Sequence, residues 1–198
     1  GDHRDLHSFP TRRSSDLYAG AAAEATPADR IKERLAGLLD AARWREAAAL
    51  CEQAAKSETP PDDEQRVMQL RALVGAGRSA DAQALYAEWG ISSATADRLF
   101  GAGSLWTSAD ALAPDAPLLA PDGNYDKQRI PELLAHAASY ARRGQAQPAF
   151  ELAIRALSLD KTGNEQLTRR ALLALFALIG EKSAVVREYR NRMATLLY

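Results

Sequence analysis

The stretch LLAHAASYARRGQAQPAFELAIRAL, residues 133–157, decides the fold. Leu133, Leu134, Ala137 and Tyr140 recur at spacings of three and four, which places their side chains on one face of an α helix. Arg143, Gly144 and Gln145 break the pattern as a turn, after which Ala149, Ala153, Ala156 and Leu157 resume it. Two amphipathic helices joined this tightly lie antiparallel and bury their apolar stripes against each other. Small residues let the helices cross closely, and bulky ones fill the adjoining gap.

Working outward, the same arrangement occurs twice upstream. Thr26, Pro27 and Asp29 supply a cap, a first-turn proline and an acid suited to the helix dipole. Ile31, Leu35, Leu38 and Leu39 then share one face, a turn follows at Ala42 to Trp44, and Ala47, Leu50, Cys51 and Ala54 form a second face ahead of Pro60 and Pro61. Val67, Leu70, Leu73 and Val74 lead into Gly75 to Arg78, and a helix carrying Ala82, Leu85, Tyr86 and Trp89 ends at Gly90. Ala47, Ala82 and Ala149 are spaced by 35 and 67 residues. That is roughly one and then two periods of the 34-residue tetratricopeptide repeat, which these helix pairs resemble. On that family's pattern Leu133, Ala137 and Tyr140 take the first-helix packing positions, Gly144 the turn, and Ala149 and Ala156 the small second-helix positions. The expected fold is all-α: tetratricopeptide-like antiparallel helix pairs stacked as a short solenoid, closed by a C-terminal capping helix.

This gives an Ala-rich linker over 18–26, helix pairs over 27–112 with the last one degenerate, a Pro-rich loop over 113–130, and a C-terminal pair with capping helices over 131–198. Between Ile91 and Arg129, Gly101, Gly103, Pro114, Pro117, Pro121 and Gly123 break any long helix, leaving one short helix around residues 94–100. The loop SADALAPDAPLLAPDGNYD, residues 108–126, is either a tolerated insertion or a functional segment, since long loops in compact domains are uncommon.

Residues 1–17, GDHRDLHSFPTRRSSDL, have a different origin in this scheme. Read back into codons, they fit a DNA string that resembles a common short-read sequencing adapter. They are set aside as an artefact expected to pack poorly, with native sequence starting at Tyr18. His3 and His7 go with them, leaving His136 and Cys51 as the only native histidine and cysteine. One of each cannot build a zinc ligand set or a CxxC redox pair, so no metal or cofactor is expected. The lone thiol suits a reducing, cytoplasmic setting. The run YAGAAAEA, residues 18–25, equally fits the tail of an export signal or a linker. The longest apolar run, ALLALFALI over 171–179, is too short to span a membrane and reads as a core helix. Net charge is −1, which gives no basis for nucleic acid as the main partner.

The last quarter is similar to a more specific group. Asp160, Lys161, Arg169, Arg170, Leu172, Leu173, Leu175, Phe176, Gly180, Tyr189, Arg190, Arg192 and the closing Leu196, Leu197 and Tyr198 resemble the C-terminal tetratricopeptide region of thioredoxin-fold co-chaperones, the chaperedoxins. The resemblance implies binding of unfolded clients and their transfer to folding machines. It also implies an upstream thioredoxin-like domain, of which this chain shows no CxxC, SxxC or strand-rich segment; the adapter junction offers a cause for the loss. Independently of the family, Gly180 suits a left-handed helix stop, Ser183 suits a cap, and Val186, Tyr189, Met193 and Leu196 form a stripe that seals the solenoid end.

No set of residues points to catalysis. Cys51 falls at a packing position and reads as a buried, inert thiol. His136 reads as a partly exposed helix residue without the partners of a catalytic imidazole. Asp62, Asp63 and Glu64 follow two prolines and read as the first turn of a helix. Residues 18–130 carry 12 basic against 17 acidic side chains, and 131–198 carry 10 against 6. Arg142, Arg143, Arg169, Arg170, Arg187, Arg190 and Arg192 could therefore form a patch for an acidic protein surface, or a solvated face. The expected docking residues are Leu134, Ala138, Ala141 and Arg142 on the concave face, with Arg169 and Arg170. Only Lys32 stands where a carboxylate clamp for a chaperone tail would need a lysine, which disfavours that role. The function expected is a non-catalytic protein-interaction module of a thioredoxin-like co-chaperone. The alternative is a stand-alone repeat adaptor of an unrelated bacterial complex.

Overall fold

The computed structural model describes residues 26–56, 60–160 and 165–197. The expectations for 1–17 and for the linker up to residue 25 lie outside the described residues. Among the described residues every regular element is helical. The helices are α1 (Pro27–Asp40), α2 (Trp44–Ala54), α3 (Asp63–Gly75), α4 (Ser79–Trp89), α5 (Ala94–Phe100), α6 (Leu105–Asp110), α7 (Ile130–Arg142), α8 (Ala146–Leu159), α9 (Glu165–Ile179) and α10 (Ala184–Leu197), with a 3-10 turn at Lys127–Arg129.

Local chemistry accounts for the helix starts. Thr26 caps α1 in a capping box: its hydroxyl accepts from the Asp29 N–H at 3.1 Å while the Asp29 carboxylate accepts from the Thr26 N–H at 3.0 Å. Asp62 does the same for α3, its carboxylate accepting from the Gln65 N–H at 2.9 Å. The acids at 62–64 thus serve a helix start, and Lys32 of α1 ties them down through Asp62 at 2.6 Å and Glu64 at 3.0 Å. Lys32 is thereby engaged within the fold.

The three turns joining α1–α2, α3–α4 and α7–α8 are copies of one structure. Arg43 N–H donates to Leu38 O, Arg78 N–H to Leu73 O, and Gln145 N–H to Tyr140 O, each bond reaching back over a left-handed residue. That residue is Ala42 (φ +53°), Gly77 (φ +79°) and Gly144 (φ +75°). After each turn the second helix buries an alanine completely: Ala47, Ala82 and Ala149.

The pairs stack, and the stack curls. α7 is the central helix, packed on α6, α8 and α9, and α9 also touches α3 and α5. α10 lies against α8, where Tyr189 meets Phe150 at 5.0 Å between ring centroids and its hydroxyl donates to Glu151 at 2.5 Å. Arg192 holds the same carboxylate at 2.6 Å, and Arg190 lies over the Phe176 ring. Burial and the bond to Glu151 push the Tyr189 hydroxyl up to about 12. The Tyr-Arg pair singled out in the sequence therefore docks the last helix.

Four expectations need correction. A second short helix, α6, follows α5, so residues 108–110 are helical and the loop starts at Ala111. Leu105, Trp106 and Ala109 give α6 a buried face too short for periodicity to reveal. The Pro-rich loop ends at Asp126, since the 3-10 turn and α7 occupy 127–130. His136 is buried, because that loop covers it. Leu196 is exposed rather than part of the seal formed by Val186 and Tyr189.

Ala42 is the one non-glycine among the described residues with positive φ, a conformation that costs about 1–2 kcal/mol for an L residue. Replacing it by glycine removes that strain and adds a smaller unfolded-state entropy penalty. Ala42→Gly is expected to raise unfolding free energy by roughly 0.5–1 kcal/mol in urea titration. A Cβ on Gly144 would stand 3.0 Å from the Ala42 Cβ. Gly144→Ala should accordingly lose at least about 1–2 kcal/mol, and less when combined with Ala42→Gly.

Candidate functional site

Among the described residues, a groove of about 1160 Å³ is framed by α1, α3, the α7–α8 turn and the end of α9. Its apolar lining comes from Leu39, Val67, Met68, Ala141, Ala177 and Ile179. α3 supplies it because both its faces carry apolar residues: Leu70, Leu73 and Val74 are buried, while Val67 and Met68 remain half-buried. The volume exceeds the ~300–1,000 Å³ usual for small-molecule sites.

Charges of both signs line both sides of the groove: Asp40, Asp63, Glu64 and Arg71 on the α1–α3 side, and Glu181, Lys182 and Arg190 beyond α9. Glu181 accepts from Arg98 and, at 3.1 Å, from Arg190. Burial pushes its carboxyl up, but these two cations outweigh that and hold it below the usual value. Lys182 is exposed and makes no ion pair among the described residues. Arg71 spans the groove wall, its Nε and Nη2 donating to Leu178 O at 3.2 and 3.0 Å.

The expected docking residues of α7 are not a surface. Leu134 and Ala138 are buried at 4% and 0% exposure, and Ala141, at 1%, reaches only the floor of the groove. α6 and α9 both pack on α7 and cover the face expected to be the concave docking surface. Arg142 is a structural hub whose side chain is 10% exposed. It donates to Val74 O at 2.9 Å and Ser79 Oγ at 2.7 Å, and pairs with Asp110 at 2.8 Å. Burial pulls its guanidinium below the usual value and Asp110 offsets part of this. Arg169 and Arg170 are exposed on α9. The wider arginine set is dispersed: Arg143 donates to Ala116 O, Arg190 pairs with Glu181, and Arg192 with Glu151.

Two further groups are placed by burial. Cys51 lies against a small cavity of about 130 Å³ between α1, α2 and α3, and burial with nearby Glu52 pushes its thiol up to about 11. A thiol so protonated is a poor nucleophile. His136 accepts on Nδ1 from the Leu119 N–H at 3.2 Å and so anchors the Pro-rich loop. The groove itself was not read from the sequence; the half-buried Val67 and Met68, beyond the core stripe of α3, are the signal that could have found it. Among the described residues, no cluster of three or more His, Cys, Asp or Glu could hold a metal ion, and no helix is long and apolar enough to cross a membrane.

Residues 113–198 match the family model of the tetratricopeptide repeat. The match covers the loop and α7 to α10. Comparison with curated proteins and with solved structures found no match. Together with the all-helical architecture, the family match identifies a helical-repeat fold. Repeats of this family generally mediate contacts between proteins and are generally non-catalytic.

Two outcomes check these placements. Arg142→Met removes a buried cation and strands Asp110 and Val74 O, so it should destabilise the chain by about 3–5 kcal/mol in chemical denaturation. Burial holds His136 below its ordinary value against the pull of Glu132, with Arg129 and Arg143 acting in the same sense as burial. A depressed imidazole value makes its contribution complete above the ordinary value and lost as pH falls through the folded one. The amide protection factor of Leu119 should accordingly hold above about pH 6.5 and fall as the pH drops further.

Proposed function

We propose that this chain is a protein-interaction module whose groove takes an extended, partly apolar segment of another protein. The groove carries the reading: its volume suits a segment of chain, its wall presents the half-buried Val67 and Ile179 with the adaptable Met68, and the exposed Lys182 stands at its rim. An unfolded client offers such segments without a fixed sequence. A groove walled by the half-buried Val67, Met68 and Ile179 accepts them through shape and burial, leaving the exposed Lys182 to orient an acidic flank.

The resemblance of the last quarter to thioredoxin-fold co-chaperones supports client binding in particular. The exposed Arg169 and Arg170 supply a second contact, outside the groove, suited to an acidic surface on a folding machine. Two separate contacts on one module would let a client and a folding machine be held together, which is what transfer requires.

The test is suppression of aggregation of a chemically unfolded model client by the full chain, with affinity read by fluorescence anisotropy. Met68→Glu places a charge in the groove wall at a half-buried position and should weaken client binding roughly tenfold, about 1.4 kcal/mol, while leaving helical content unchanged. Arg169→Glu with Arg170→Glu should leave client binding intact and weaken association with a folding chaperone, with greater salt sensitivity in the unmodified chain. Absence of client binding by the full chain would overturn the co-chaperone reading and favour a dedicated adaptor of a folded complex.

A further inference from the structure

The connection between α6 and α7 is longer than its route requires. Asp110, at the end of α6, pairs with Arg142 at the C-terminal end of α7, so the chain must run back along α7 before starting it at Ile130. Thirteen helical residues measure about 20 Å, which about six extended residues can cover. Residues 111–126 provide sixteen.

The connection is laid on one face of α7 by three side chains. The His136 Nδ1 accepts from the Leu119 N–H at 3.2 Å, the Tyr140 hydroxyl donates to Leu119 O at 3.2 Å, and Arg143 Nη2 donates to Ala116 O at 2.9 Å. His136, Tyr140 and Arg143 are four and three residues apart and form one row along the helix. Each of them holds a main-chain atom. What the row recognises is therefore an extended backbone, and side-chain selectivity falls to Leu119, which is half-buried against the core. Pro117 and Pro121 flank it and favour the extended conformation that leaves its N–H and C=O free for the row. Asp115, Pro117, Ala120 and Asp122 are exposed.

We propose that the row His136, Tyr140 and Arg143 is a clamp for an extended, proline-flanked apolar segment of another protein, and that residues 116–119 are the chain's own displaceable occupant of it. None of the three lines the groove described above, so the inference stands apart from that reading. A tethered occupant competes at an effective concentration in the millimolar range, so the clamp opens to a partner only when the strap is loosened or the partner is also held elsewhere.

The experiment titrates a fluorescently labelled peptide APDAPLLAP, the sequence of residues 113–121, into the full chain and its variants. Leu119→Asp removes the strap's apolar anchor and leaves the clamp unchanged. The peptide should bind this variant at least about tenfold more tightly than the unmodified chain, and adding Tyr140→Phe should reverse most of that gain. A Leu119→Asp chain that keeps its helical content and cooperative melt yet binds the peptide no better than the unmodified chain would overturn the proposal. If that variant does not fold, Leu119→Ala is judged by the same criterion. Amide exchange gives a second reading: the Leu119 N–H should exchange by local opening, faster than the core amides of α7, and exchange only through global unfolding would equally sink the idea.

Discussion

The fold depends on how the carbonyl groups at the ends of the first helices are satisfied. A helix leaves its last carbonyls without internal partners, and burying such an end without a donor is costly. Here donors come from other pairs. Trp44 Nε1–H donates to Arg142 O at 2.7 Å, Arg142 in turn donates to Val74 O, and Arg71 donates to Leu178 O. Trp106 closes the end of α5 in the same manner, through Leu99 O at 2.5 Å. The ends of α3 and α7 are thereby held against each other, and α9 ends against the side of α3, along the wall of the groove.

The recurring turn makes these contacts possible. Each left-handed residue reverses the chain within three positions, so the end of a first helix and the start of its second helix lie side by side. The turns come close enough that the Cβ of Ala42 faces Gly144 directly. Ala42 does what the two glycines do at a higher conformational cost, which shows how strongly the position is set by its surroundings.

Much of this was legible in the chain. Thr26, Asp62, Gly90 and the alanines at 47, 82 and 149 act through local or nearest-neighbour chemistry, and a sequence reports such chemistry directly. Arg142 and His136 were misjudged for a shared reason. Their burial comes from α6 and from the Pro-rich connection, segments of six and sixteen residues that carry no helical period for a reader to follow. The groove was equally hidden, because it arises where α3 meets the end of α9, a contact of long sequence separation.

The bond from Arg71 to Leu178 O, 107 residues along the chain, bears on how the molecule comes apart. In a linear array each repeat touches only its neighbours, so the ends can fray one unit at a time. Here the second pair braces the penultimate helix and the second helix braces the central one. Loss of either end therefore removes support from the other, and the chain behaves as a single cooperative unit whose folding must close long loops before any repeat is fully supported.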